Sequence, residues 1–355
     1  MTARSRREVI FTGALLSLLA AYVITTLWLS VLSFDHYIVL LAAYFRIATS
    51  LWIFVALVAL AVLRYRTKPA ADGAVVSLLQ LIGQEFERRW QRDRFLSLLT
   101  PPLIFALLLA SFNVFKQHVL PRAGFPFDPA LAALDRMLFG GIDPWRLTHA
   151  MLPSPWATLA IDSLYHGWFL PMSLGVMICS FLPAAADEVR IRYLVSFVGV
   201  WVLLGSGLAA LLPAAGPCFQ PTAIGLAPGF EPLVARLGAQ QAWITSQFPA
   251  AVLSAVEFQR VLLDMHSADD GLALGGGIAA MPSIHNALAG LFAIAAFRID
   301  RRLGWVMTAY AVLIWVGSVH LGWHYAIDGP AAVAATAVIW WASGSVARVV
   351  LAGRG

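Results

Sequence analysis

The chain has 355 residues, of which 60 % are hydrophobic and only 12 % charged; an ordinary soluble domain carries about 25 % charged residues. No soluble fold covers that much apolar surface, so lipid must be the solvent for most of the chain. The formal charge of +5 comes from basic residues clustered between apolar stretches, a pattern of membrane orientation rather than of nucleic-acid binding.

A helix needs about 20 apolar residues to cross the hydrocarbon core. In chain order the expected spans lie near 9–31, 38–63, 98–120, 154–182, 192–214, 283–299, 303–322 and 325–351. The fold class is therefore all-α, a polytopic integral membrane protein of about eight transmembrane helices. Arg4, Arg6 and Arg7 precede the first span. Its apolar run is too long for a signal peptide and no clean small-residue cleavage site follows, so it reads as a retained anchor. With the N-terminus inside, 17 of the 24 Lys and Arg residues fall in inside segments, a clear positive-inside bias. Both termini are then expected in the cytoplasm, below an inner or plasma membrane.

Two stretches between spans stand out. Segment 72–96 has a helical pattern and carries Arg88, Arg89, Arg92 and Arg94 beside Trp90 and Phe95. It reads either as an interfacial amphipathic helix or as a solvated cytoplasmic loop. Segment 215–281 is a long outer loop, with Phe230, Leu233, Trp243, Ile244, Phe248, Val252, Val256 and Leu262 at mostly helical spacing. Short helices lying over the outer surface, covering a site, are expected there. Cys179 sits in an apolar span and Cys218 in a loop; neither a disulfide between them nor a zinc-type spacing is expected.

Two short motifs carry chemistry. In Gly275-Gly276-Gly277-Ile278-Ala279-Ala280-Met281-Pro282-Ser283-Ile284-His285, a glycine-rich approach leads into a helix that Ser283 can cap. The N–H groups of a helix start can bind an anion, and His285 projects from the first turn, placed to protonate a leaving oxygen. An ordinary loop-to-helix junction would look the same. In Val319-His320-Leu321-Gly322-Trp323-His324-Tyr325-Ala326-Ile327-Asp328, His324 and Asp328 are neighbours if the segment is helical. A carboxylate that fixes the tautomer of a histidine makes it a competent nucleophile or base; a polar pair tying two helices together is the alternative. Both motifs fall on the outer side of the bilayer.

Pro282-Ser283-Ile284-His285 resembles the Pro-Ser-x-His motif of the type 2 phosphatidic acid phosphatase superfamily. Val319-x-Leu321-Gly322-x-His324-Tyr325-x-x-Asp328 resembles its last motif. The superfamily's first basic motif has no match, the nearest candidates being Lys116 and Arg122. Gly317 and Ser318 stand where a Ser-Arg pair is usual. The inositol phosphorylceramide synthase branch also lacks these cations. Asp135-Arg136-Met137-Leu138-Phe139-Gly140-Gly141, Tyr165-His166 followed by Pro171, and Pro213-Ala214-Ala215-Gly216-Pro217 look similar to that branch. The resemblance implies a six-helix catalytic domain over 98–355, to which 1–97 adds two spans. It implies His324 as nucleophile, Asp328 as its partner and His285 as general acid and base. Ser283, Gly276 and Gly277 would hold the phosphate, with Arg136, Lys116 and His320 as candidates for the missing positive charge.

The expected activity is a membrane phosphotransferase. It would move a phosphoryl-linked head group from a phospholipid to a lipid or polyol acceptor, without metal or other cofactor. A lipid phosphate phosphatase using water is the alternative. A zinc site on His320, His324 and Asp328 requires an unbroken helix there, against which Gly322 argues. A transporter would scatter charges at mid-membrane, where only Arg46 and Asp162 lie.

Overall fold

The computed structural model describes residues 3–31, 33–66, 96–219, 229–268 and 273–352. The expected amphipathic segment 72–96 lies, but for its last residue, outside the described residues. Among the described residues the chain is helical throughout, with no strand.

Thirteen helices are needed to follow the chain. They are α1 (Ala3–Leu29), α2 (Phe34–Arg66), α3 (Leu96–His118), α4 (Asp128–Leu138), α5 (Pro144–Met151), α6 (Pro155–His166) and α7 (Phe169–Ile178), then α8, which begins as Asp187–Gly199, widens into a π-helical stretch at Val200–Leu208 and closes at Ala209–Leu211. After them come α9 (Glu231–Gln247), α10 (Ser254–Ala268), α11 (Ile284–Phe297), α12 (Arg301–His320) and α13 (Asp328–Leu351). By length and composition six of these can cross a membrane: α1, α2, α3, α8, α12 and α13. The protein is an integral membrane protein.

The two other expected spans take different forms. Segment 154–182 is bent into α6 and α7 at Gly167–Trp168. Pro171 has no N–H to offer the carbonyl of Gly167, so an unbroken ladder cannot run through this point. Segment 283–299 is α11, only 14 residues long.

α11 is the centre of the C-terminal half. Asn286, Ala287, Leu288, Ala289, Gly290, Leu291 and Phe292 are all buried, and α12, α13, α8 and α7 pack around it. The small side chains allow this close approach. α3 is the second buried helix, with α1 and α2 on one side and α7 and α8 on the other. α1 is joined to α8 twice. The Tyr22 hydroxyl lies 2.6 Å from Ser206 Oγ. Near the other end the buried Arg190 guanidinium reaches both Glu8 carboxylate oxygens, at 2.8 and 3.0 Å, with Asp187 3.4 Å away.

Segment 215–281 contains, among its described residues, the short helices α9 and α10, as its spacing suggested. The Asp162 carboxylate of α6 accepts from Ser254 N–H and Ala255 N–H, capping the start of α10 over the bundle. Asp162 is thus a structural anchor. Arg46, the other charge within an expected span, donates to Ala42 O of its own helix.

Candidate active site

Ser283 is the N-cap of α11, its Oγ accepting from Asn286 N–H at 3.3 Å. His285 therefore stands in the first turn. On the other motif α12 ends at His320, and Gly322 takes a left-handed φ of 77° that ends the helix sharply. α13 starts only at Asp328. His324 thus precedes its helix, and the turn brings it to Asp328.

The ring of His324 is held on one side only. Its Nδ1 lies 2.8 Å from Asp328 Oδ2 and 2.8 Å from Ala280 O. Both partners are acceptors, so the proton sits on Nδ1 and the lone pair on Nε2. The second Asp328 oxygen accepts Ser283 N–H at 2.6 Å. One buried carboxylate thereby links the two motifs across 45 residues. The ring centroids of His324 and His285 are 6.1 Å apart. His285 is clasped between Tyr165, nearly parallel at 4.8 Å, and Trp168, at 4.2 Å.

His285 and His324 face a cavity of about 440 Å³. Lys116, Gly276, Gly277, Pro282, His166, Trp323 and Tyr165 also line it. The glycine loop rests directly on α3. A Cβ on Gly277, whose φ is +91°, would lie 2.6 Å from the Lys116 carbonyl oxygen, so only glycine fits. Lys116 is the cation that the described lining residues contribute.

Three expected phosphate ligands fall elsewhere. Arg136 is not on the cavity: it is 40 % exposed and bonded to Asp143 Oδ1 at 2.6 Å. Its neighbour Asp135 is the residue turned inward, accepting from Ala326 N–H and Ile327 N–H next to His324. His320 is turned away by the break at Gly322. It stacks on His149 at 3.8 Å and bonds Thr158 Oγ1 at 2.9 Å, so the His320–His324–Asp328 triad does not assemble. Among the described residues no group of three His, Cys, Asp or Glu side chains is placed to hold a metal ion. Ser283 is fully buried and its N–H and Oγ are engaged, which leaves it supporting the turn.

Other residues escaped the sequence. Tyr165 and His166 were marked only by their resemblance, and Trp168 was not marked at all. Asp128 accepts from Ala215 N–H, Gly216 N–H and the Tyr325 hydroxyl; burial pushes the carboxyls of Asp128 and Asp135 up from their usual range against these bonds. Asn113 and Tyr44 reach the cavity through long-range packing. Ser318, at the position where an arginine was expected from the resemblance, faces the interior. It is fully buried, its carbonyl takes Trp323 N–H and His324 N–H, and Asn286 Nδ2 lies 3.3 Å from its Oγ.

A family model described as the PAP2 superfamily matches residues 129–342, more than half of the chain. The chain belongs to the PAP2 superfamily. The matched region contains both histidines and the aspartate that joins them. Members are phosphatases and phosphotransferases acting on phosphate esters, which makes this protein an enzyme of that class. No curated protein and no solved structure matches it.

Proposed function

We propose that the protein is a metal-independent lipid phosphotransferase that works through a phosphohistidine-type intermediate. The observation that carries this reading is the His324 ring, its Nδ1–H bound to Asp328 and its other face open to an apolar cavity that His285 shares. His324 Nε2 attacks phosphorus, and the bond to the leaving oxygen breaks as His285 donates a proton to it. Asp328 balances the charge that develops on the His324 ring. An acceptor hydroxyl then gives its proton to His285 and attacks the phosphorus, which frees His324.

The charge balance favours a diester substrate. One lysine lines the described cavity, the family's basic pair is replaced by Gly317 and Ser318, and a diester carries a single negative charge. This supports transfer of a phosphoryl-linked head group from a phospholipid to a lipid or polyol acceptor, as in the inositol phosphorylceramide synthase branch. The positive-inside bias supports an active site on the outer face with both termini in the cytoplasm. Hydrolysis by water at the same site is the second reading, since the intermediate is identical.

The test uses purified protein and a phospholipid labelled in its head group, with and without a hydroxylated lipid acceptor. Label should pass to the acceptor only when it is present. Release of free phosphorylated head group at the same rate in both cases would make the enzyme a hydrolase. No turnover of any phosphate ester would sink the reading altogether.

A further inference from the structure

The family match begins at residue 129, yet residues before it build one wall of the cavity. Tyr44 and Ile47 come from α2; Leu109, Phe112, Asn113 and Lys116 come from α3. This wall is graded in polarity. Towards the histidines it carries Lys116 and Asn113. The Asn113 carboxamide is engaged: Oδ1 accepts the Tyr44 hydroxyl and Gly275 N–H, each at 2.7 Å, and Nδ2 donates to Ala273 O at 3.1 Å.

Further along, the wall is hydrocarbon. Leu109 lies seven residues before Lys116 on α3, about 10 Å at about 1.5 Å per residue. Ile47 lies a turn beyond Tyr44, and Phe112, Phe169, Met172 and Gly205 add further apolar lining to the cavity. A polyol there would find no partner for its hydroxyls among these residues, which disfavours it strongly. Phe169 lines the cavity and is 38 % exposed, so the cavity is not sealed at this side chain.

We propose that the wall formed by α2, α3 and α7 binds a hydrocarbon chain of the phosphate ester, and that Ile47 sets the length of chain admitted. The proposal rests on the reaction at His324 proposed above, and it places Ile47, the residue that sets chain length, outside the matched region. Each methylene buried there should raise affinity about fourfold, until the chain meets the far end.

The experiment uses the full chain in lipid nanodiscs. Its substrates are synthetic phosphodiesters with one head group and alkyl chains of increasing length, together with a chainless diester. In wild-type protein kcat/KM should rise with chain length. Ile47→Trp should cut kcat/KM for the longest chains at least about tenfold and leave the chainless diester unchanged; Ile47→Ala should move the plateau to longer chains. Identical chain-length profiles in all three proteins would overturn the proposal. A second measurement needs no turnover: an alkyl phosphate carrying a photoreactive group on its chain should label peptides of α2, α3 and α7. Labelling of other helices alone would reject the chain site. Absence of turnover with correct labelling would reject the reaction and leave the site standing.

Discussion

A single carboxylate decides how His324 behaves. Asp328 spends one oxygen on the imidazole and the other on Ser283 N–H, so its loss disturbs both motifs. His324→Ala should lower kcat by at least about three orders of magnitude, as for covalent groups that act as a unit, in a protein that still folds. Retention of a tenth of wild-type activity would remove it as nucleophile. Asp328→Asn should also cut kcat, and it should lower the thermal unfolding midpoint as well, because the cap of α11 loses a charged acceptor. The cations separate in the same way. Lys116→Ala should raise KM about tenfold or more, since it removes the charge on the cavity. Arg136→Ala should leave KM within about twofold, because its guanidinium is half-exposed, already paired with Asp143, and worth little. The reverse result would mean that substrate reaches the α4–α5 turn.

At the scale of elements, His149 holds several helices together. It accepts Arg236 Nε–H of α9 on Nδ1 at 2.9 Å, and its Nε2–H donates to His320 O at the end of α12, also at 2.9 Å. The bond from Arg236 requires a neutral ring, because a protonated Nδ1 has no lone pair to accept it. Burial, with the nearby Arg236 charge also opposing protonation, pushes its pKa down to about 4. The unfolded chain, near 6.5, therefore binds more protons between these values. The stabilisation is present above about pH 6.5 and is lost as the pH falls through about 4. Unfolding midpoints in detergent should drop across that window, and His149→Phe should flatten the slope. An unaltered slope would assign the acid sensitivity to another group.

Legibility followed the same division of scale. The grouping of His285, His324 and Asp328 was readable because local spacing and two helix starts determine it. Which of Asp135 and Arg136 turns inward was not, since adjacent residues on a helix face different neighbours. His320 was misplaced because one left-handed glycine redirects everything before it. The Tyr165–Trp168 clasp depends on the bend at Pro171, and Tyr44 depends on how α2 packs on α3. Neither has a sequence period. The spans themselves followed from hydropathy, although the bend between α6 and α7 and the shortness of α11 express packing rather than composition.

For the whole molecule, the proposed orientation has a direct check. Ala250 is exposed between α9 and α10, while Cys179 and Cys218 are buried and free. Ala250→Cys should react with a membrane-impermeant thiol reagent on intact cells; reaction only after permeabilisation would invert the topology. The contact between Glu8 and Arg190 bears on assembly. Its partners are 182 positions apart, so it closes only after more than half of the chain has been made. Until then α1 waits in the bilayer with an unmatched carboxylate, and α8 arrives bringing the guanidinium that completes it. Glu8→Gln should therefore act on yield before it acts on rate. A buried arginine deprived of its main partner is unfavourable by about 3–5 kcal/mol, and membranes should accumulate less protein with near-normal turnover per molecule. Replacing both partners by leucine should restore the yield only in part, because Asp187, 3.4 Å from the guanidinium and buried, then loses that cation.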